Sequence, residues 1–342
     1  MYNFIYITNI PSFYKINLFN RIAEHKKLLV VFTHKFNSQR NEDFYKGNRE
    51  FKYISIADKS ILGKLFFILK LLRTTSYQFL IIAGWDQFVL WFAAFISPRN
   101  KNGVVVESSI YESKTAGLKG YVKKLFIARI SIAYVSGKSQ ADLCKALGFK
   151  GQIIVTKGVG IFNVRPQPPY KAGSSIKKFI YVGRLSPEKN LKFLIETFNQ
   201  LPDLNLTIAG FGPQELFLKS IANQNIVFLG PVLNLELYKL YQQNDVFILP
   251  SISEPWGLVV EEAFNNGLPV IVSDKVGCAE EIVNDSNGII FKLSDPDGLR
   301  NAIQRMQKIE YYNLLRLNIS KMDFDKKIDN EVACYTLKPP SD

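Results

Sequence analysis

The chain has 342 residues, 47% of them hydrophobic and 21% charged, enough apolar surface for one or two large cores and too much for a disordered chain. Its three cysteines, Cys144, Cys278 and Cys334, are too scattered for a disulfide framework or a CxxC metal pair, and favour a reducing compartment. Its two histidines, His25 and His34, are too few for a His-rich metal site or most histidine-centred hydrolysis.

The net charge of +13 is unevenly divided: residues 1–165 carry 25 lysines and arginines against 9 acidic residues, residues 166–342 carry 18 against 21. A basic half faces nucleic acid, an anionic membrane or a phosphorylated substrate, and charge alone does not choose among them. The opening MYNFIYITNIP reads as a short strand without the basic region and cleavage site of a signal peptide, so the chain is expected to start inside its fold. The runs FIYITNI, KLLVVFTH, FLIIAG, GVVVESS and SIAYVSG alternate with helical patterns, which predicts βαβ units on a parallel, doubly wound sheet.

Within that half, KSILGKLFFILKLLR (residues 59–73) places Ile61, Leu62, Leu65, Phe66, Leu69 and Leu72 at helical spacing, punctuated by Lys59, Lys64, Lys70 and Arg73. It is either a core-packed helix with exposed lysines or a helix lying on an anionic membrane, where Lys119, Lys123, Lys124 and Arg129 add attraction. The concentration of charge in this half favours the membrane. The longest apolar run, Phe88 to Ile96, is less than half of the roughly twenty residues that a membrane-spanning helix needs. No helix-turn-helix, zinc-finger or RNP string accompanies the basic residues, which argues against nucleic acid.

Arg165 to Ser175, with Pro166, Pro168, Pro169 and Gly173, continues neither helix nor central strand and is the predicted linker. Beyond it KKFIYVGR, LNLTIAG, NIVFLG, DVFILPS, LPVIVS and GIIF repeat the alternation, predicting a second doubly wound domain. In YVGRLSPEKN the guanidinium of Arg184 and the ammonium of Lys189 are candidates to converge on a diphosphate, although a GR followed by a lysine is more often a surface turn. The GxG of IAGFGPQE lacks the third glycine of a dinucleotide fingerprint. From about Lys321 the chain reads as a terminal helix and a frayed tail.

The most informative segment is ILPSISEPWGLVVEEAFNNGLPVIVSD, a buried strand running into a loop with Glu254 and then a helix, starting near Trp256, with Glu262. Two acids with seven residues between them, one in the loop and one two turns into the helix, can both face the crevice at the carboxyl end of a parallel sheet. Between them the amides of Gly257, Leu258 and Val259 form a helix N-terminus suited to a phosphate. In the alternative reading Glu254 caps the helix and Glu261 and Glu262 are solvated charges.

With Pro250, Ser251, Glu254, Trp256, Gly257, Leu258, Glu262, Ala263, Gly267, Pro269 and Val270 in register, this segment resembles the retaining glycosyltransferases of family 4. Pro255 stands where Gly or Ser is commoner. The resemblance implies the GT-B fold, two Rossmann-like domains facing each other across a cleft. It implies that Glu254 contacts the donor sugar, that Glu262 binds the ribose, and that Arg184 and Lys189, in the family's GR-x4-KN string after Gly183, bind the donor diphosphate. It also places Gly212 in the donor domain and Val232 against the nucleobase, with Gly257, Leu258 and Val259 at the phosphates. In the first half the likeness thins: Ser136, Leu147, Gly148 and Gly158 are in place, but Lys157-Gly158-Val159-Gly160 stands where many members carry Asn-Gly-Val-Asp. The first loop lacks the paired glycines of many relatives, and Lys15 occupies an arginine position, with a functional and a structural role equally open. Glu107, ending GVVVESS, orients an acceptor hydroxyl, acts as a base or caps the next helix.

The sequence is therefore expected to form an acceptor domain (1–165), a donor domain (166–320) and a terminal segment (321–342) returning to the first. The expected activity is transfer of a sugar, with retention, from a nucleoside-diphosphate sugar to a lipid-diphosphate-linked saccharide in bacterial surface-polysaccharide synthesis. Catalysis is expected of Glu254, Arg184, Lys189 and Glu107, with Glu107 and Lys15 on the acceptor side. No metal or cofactor is expected; the partners are donor, acceptor and the anionic cytoplasmic face of the inner membrane, with no nucleic acid. The alternatives are a GT-B nucleotide-sugar epimerase and a non-catalytic nucleotide-sugar-binding protein.

Overall fold

Every run read above as a strand becomes one, because each is flanked by turns and most are buried on both faces, as parallel sheets require, whereas the apolar run Phe88 to Ile96 forms a helix. The computed structural model describes residues 1–35 and 41–336 and divides into two units. Residues 1–35, 44–161 and 325–336 form the first, and residues 41–43 and 162–324 the second.

The first unit carries β1 (Tyr2–Thr8), α1 (Phe13–His25), β2 (Leu28–Phe32), β3 (Lys52–Ser55), α2 (Ile61–Thr74), β4 (Tyr77–Ala83), α3 (Phe88–Ile96), β5 (Asn102–Val106), α4 (Gly117–Ile127), β6 (Ile132–Val135), α5 (Lys138–Ala146) and β7 (Gln152–Val155). Its strands are all parallel, in the order β3-β2-β1-β4-β5-β6-β7. The order reverses between β1 and β4, which opens a crevice at their carboxyl ends. Ile5, Ile82 and Val104 of the sheet pack against Ile68, Leu90, Ala94 and Phe126 of the helices.

The helix predicted over 59–73 forms as α2, started by Ser60, whose hydroxyl accepts from the Gly63 N–H at 3.2 Å. It departs from the core-packed alternative at one lysine: Lys59, Lys70 and Arg73 are exposed, but Lys64 is buried. Lys64, Ile68 and Leu71 face inward, whereas Ile61, Leu62 and Phe66 are 66%, 78% and 68% exposed. The helix is apolar around most of its circumference, so burying one stripe leaves large side chains in solvent.

The second unit carries β8 (Lys178–Val182), α6 (Leu191–Asn199), β9 (Asn205–Ala209), α7 (Glu215–Ile221), β10 (Ile226–Gly230), α8 (Leu237–Gln242), β11 (Val246–Leu249), α9 (Leu258–Asn265), β12 (Val270–Ser273), α10 (Ala279–Ile282), β13 (Gly288–Phe291), α11 (Gly298–Met306) and α12 (Ile309–Ile319). Its parallel sheet runs β10-β9-β8-β11-β12-β13, with its reversal between β8 and β11.

The chain passes from the first unit to the second after Ile161. Arg165 to Ser175, predicted to be a linker, instead lies on the second unit. The Arg165 N–H donates to Asn265 Oδ1 at 3.0 Å, Gln167 donates to the Ile319 carbonyl at 3.1 Å, and the Gly173 N–H donates to Asn313 Oδ1 at 2.8 Å. Its prolines exclude regular structure, but its remaining backbone groups still need partners and take them from side chains. The last helix, α13 (Phe324–Thr336), belongs from Asp325 onward to the first unit, where Tyr335 stacks on Tyr134 with ring centroids 4.8 Å apart. The expected tail, residues 337–342, lies outside the described residues.

Asn102 ties the first unit together: fully buried, it donates to the carbonyls of Ala94 at 2.8 Å and Arg129 at 3.0 Å. Asn102→Ala leaves both carbonyls without that donor and is expected to cost about 2–3 kcal/mol. Urea unfolding followed by far-UV circular dichroism checks this: a lower midpoint is expected in the first unit's transition.

Candidate active site

The site begins at the reversal of the second sheet. β8 is followed by Gly183, Arg184 and a short 3-10 turn, Pro187–Lys189, while β11 is followed by Ser251 and a loop that reaches Glu254. Lys189 Nζ and Glu254 Oε2 pair across the gap between the two strand ends. Both side chains are nearly buried, so this pair is poorly screened by water. Five residues before Lys189, Arg184 Nη2 lies 3.1 Å from Glu188 Oε1, which also accepts from Ser186 Oγ at 2.6 Å. Burial alone would raise the Glu188 carboxyl, but Ser186, Arg184 and Lys189 hold it below its ordinary value.

Backbone contacts fix both loops. The Glu254 N–H donates to the Lys275 carbonyl at 3.2 Å, the Gly277 N–H to the Glu254 carbonyl at 2.8 Å, and the Cys278 N–H to the Trp256 carbonyl at 2.9 Å. A Cβ at Gly277 would lie 1.9 Å from the Pro255 carbonyl oxygen, so the loop carrying Glu254 and the loop after β12 close only on glycine. On the other side the Leu185 N–H donates to the Phe211 carbonyl at 2.9 Å and the Gln214 N–H to the Leu185 carbonyl at 3.0 Å. Gly210 has φ +140°, and a Cβ there would lie 1.8 Å from the Gly183 oxygen. Gly212, predicted on the donor side, is packed on Leu185, where a Cβ would lie 2.5 Å from the carbonyl oxygen, and shapes the same junction.

The helix predicted from Trp256 starts two residues later. Gly257 is its N-cap at φ +98°, a left-handed conformation that cannot continue the helix, and α9 begins at Leu258. Glu254 does not cap it; its carboxylate is held by Lys189. Nor is Glu261 a solvated charge, since it is buried and accepts from Trp256 Nε1 at 2.6 Å. Glu262 is half-buried, and Tyr241 of α8, fully buried, donates its hydroxyl to Glu262 Oε2 at 3.1 Å. Withdrawal from water raises the Glu262 carboxyl to about 7, with Tyr241 opposing the shift and neighbouring Glu261 adding to it.

Arg184, Lys189, Glu254, Glu262 and the first amides of α9, at Leu258 and Val259, thus gather at one end of one sheet. Val232, after β10, gives its carbonyl to Asn41 Nδ2 at 2.6 Å, and Asn41 belongs to the short segment counted with this unit. Sequence reasoning missed Tyr241, Glu188 and Ser186; only the Glu188 spacing, four residues after Arg184, carried a local signal.

The two residues expected on the acceptor side also meet, in the first unit. Lys15, in the first turn of α1, is 4% exposed, and its Nζ lies 2.8 Å from Oε1 of Glu107, just past β5. Burial alone would pull the Lys15 ammonium down, but Glu107 together with the Tyr14 and Tyr6 hydroxyls outweighs it and holds the ammonium above its ordinary value. Among the described residues no three His, Cys, Asp or Glu side chains cluster as a metal site, and no helix is long and apolar enough to cross a membrane.

Residues 169–321 match the family of glycosyl transferases group 1. An uncharacterized glycosyltransferase, MJ1607, of Methanocaldococcus jannaschii is 33% identical over 159 residues, 44% of this chain and 41% of that protein. The Escherichia coli UDP-Gal:alpha-D-GlcNAc-diphosphoundecaprenol alpha-1,3-galactosyltransferase is 32% identical over 173 residues, 46% of this chain and 44% of that protein. Both alignments therefore span less than half the length of the curated relative. The solved lipopolysaccharide outer core galactosyltransferase WaaB, in its apo form, superposes with a TM-score of 0.72 at 17% identity over 97% of this chain and 98% of that one.

A carboxyl raised on folding adds stability that is complete below its ordinary 4.5 and is lost as pH climbs through about 7. Glu262→Gln should flatten the stability profile between those values, where each pH unit is worth at most about 1.4 kcal/mol in the wild type. Tyr241→Phe removes the hydrogen bond that opposes the shift and should extend the sloping region upward; urea midpoints from pH 4 to 9 check both. With all-parallel α/β sheets in both units the chain has the GT-B fold, and its residues 169–321 are similar to the glycosyl transferases of group 1.

Proposed function

We propose that the chain is a retaining glycosyltransferase that uses a nucleoside-diphosphate sugar bound on the second unit and a lipid-diphosphate-linked saccharide as acceptor. The observation that carries this reading is the Lys189–Glu254 pair across the β8–β11 reversal, flanked by Arg184, Glu262 and the N-terminus of α9. In the reaction the bond from the sugar's anomeric carbon to the diphosphate oxygen breaks. A bond to the acceptor oxygen forms on the same face, and the hydroxyl proton passes to the departing phosphate.

Lys189, Arg184 and the amides of Leu258 and Val259 offset the charge building on the leaving diphosphate, help worth several kcal/mol when preorganised. With this much positive charge from the chain itself, the reading requires no metal. Glu254 accepts from a donor-sugar hydroxyl while one N–H of Lys189 holds it in place. Glu262, oriented by Tyr241, accepts from the ribose. The E. coli relative, whose name specifies a diphosphoundecaprenol-linked acceptor, supports the acceptor class.

An acceptor held in a membrane agrees with the surface of the first unit. α2 packs on α3, and Trp91 of α3 packs on Phe126 of α4 at 4.9 Å. The outer sides of these helices expose Leu62, Phe66, Phe88, Leu118 and Tyr121 among Lys59, Lys70, Lys119 and Lys124. Large apolar side chains among lysines suit the cytoplasmic surface of an anionic membrane, at about 1 kcal/mol per basic residue.

Two measurements test this. In a thermal-shift panel of UDP-, GDP-, ADP-, dTDP- and CMP-sugars, one donor at 100 times its Kd should stabilise the protein by about 2.7 kcal/mol, and Glu262→Ala should abolish the shift. With that donor and a panel of lipid-diphosphate-linked saccharides, Glu254→Gln and Lys189→Met should lower kcat by about 10²–10³-fold, and EDTA should change nothing. No donor shift and no transfer would overturn the reading; an altered sugar formed without acceptor would replace it with an epimerase. Separately, sedimentation with vesicles containing phosphatidylglycerol is expected for the wild type, and should weaken in a Leu62→Ser, Phe66→Ser, Leu118→Ser variant.

A further inference from the structure

We propose that Glu107 binds the acceptor hydroxyl that receives the sugar, and that the buried Lys15 is its positioning residue. This deepens the glycosyltransferase reading and rests on it.

The sheet order of the first unit reverses between β1 and β4, and open parallel sheets bind ligands at the carboxyl ends beside such a reversal. Lys15 enters from the helix that follows β1 and Glu107 from the end of β5, so their ion pair reaches past the end of β4, beside the reversal. The two partners differ sharply in exposure. The Lys15 side chain is 5% exposed, whereas that of Glu107 is 41% exposed, with Oε1 held at 2.8 Å. One carboxylate oxygen is thereby fixed from below, and the group still faces water, as an acceptor for a sugar hydroxyl must.

A buried lysine in the first turn of a helix is an expensive arrangement. Taking the ammonium from water is costly, and the positive end of the helix dipole adds repulsion. A simple cap for the loop after β5 would not need it, and that loop has another device: the Ser109 N–H donates to Glu112 Oε1 at 3.0 Å. Around the pair lie the rings of Tyr6 on β1 and Tyr14 on α1, with Tyr134 of β6 beyond. Tyr6 is itself buried, and its hydroxyl pKa is pushed up by that burial, so it stays neutral. Lys15 is the cation that this group of rings presents to Glu107.

The test uses the full-length protein with the donor and the lipid-linked saccharide that the wild type turns over. Glu107→Gln should lower kcat/KM for the acceptor about 100-fold, while the donor's thermal shift and KM stay at wild-type values. Lys15→Met, nearly isosteric, should lose at least 10-fold in the same acceptor parameter, and Lys15→Arg should restore most of it. Wild-type acceptor kinetics in Glu107→Gln would overturn the proposal. So would equal losses in donor and acceptor parameters, or a Lys15→Arg variant no better than Lys15→Met, since a structural role produces those patterns. Failure of the donor reading shows separately, as a wild type with no donor shift.

Discussion

In each unit a lysine from the segment after the first strand of the sheet meets a glutamate from a strand end beyond the sheet's reversal. In the second unit it is Lys189 with Glu254, after β8 and β11; in the first it is Lys15 with Glu107, after β1 and β5. Such pairs are poor stabilisers, because desolvating two charges offsets most of what their attraction returns. They are effective at fixing direction, since breaking one leaves a buried charge without its partner. The loops around them follow suit: the second unit spends its close glycine contacts, at Gly210 and Gly277, on pressing together the loops that carry Arg184 and Glu254.

The fold was legible wherever burial made the pattern two-sided. The central strands of both sheets are continuous apolar runs between turns, and each was readable from composition alone. Two strands were not. β3 and β7 lie at the edges of the first sheet, and their side chains are largely half-buried or exposed, so KYIS and QIIV carry too little apolar contrast. α2 shows the opposite failure. Its sequence is apolar on nearly every side, and periodicity could not say which stripe would meet the sheet, so Lys64 turned inward while Leu62 and Phe66 turned out.

The site divides in the same way. Arg184, Lys189, Glu254 and Glu262 sit in short strings whose spacing is set by a strand, a loop and a helix start, so they were visible locally. The groups that orient them come from elsewhere in the chain. Tyr241 meets Glu262 from a separate helix 21 residues earlier, and Lys15 meets Glu107 from across the sheet. Sequence reasoning named Lys15 and Glu107 separately and had no means of joining them, because only the strand order brings them together. The linker failed for a related reason: proline content shows what Arg165–Ser175 cannot form, but not that side chains of α9 and α12 would hold it.

The uneven charge of the chain bears on where its basic half is used. Lys15, the buried cation of the first unit's site, is matched by Glu107 and adds nothing to the net excess. Lys59, Lys70, Lys119 and Lys124 lie elsewhere, exposed on or beside α2 and α4 among exposed leucine, phenylalanine and tyrosine. A charge that served only to bind one small diphosphate would gather at a strand-end crevice, as Arg184 and Lys189 do in a half whose acidic residues outnumber its basic ones. In the proposed reading, charge spread over helix exteriors and mixed with apolar side chains acts instead on an extended surface. Its attraction is summed over many residues and reaches only about a Debye length, so it is useful to a protein that works close to that surface.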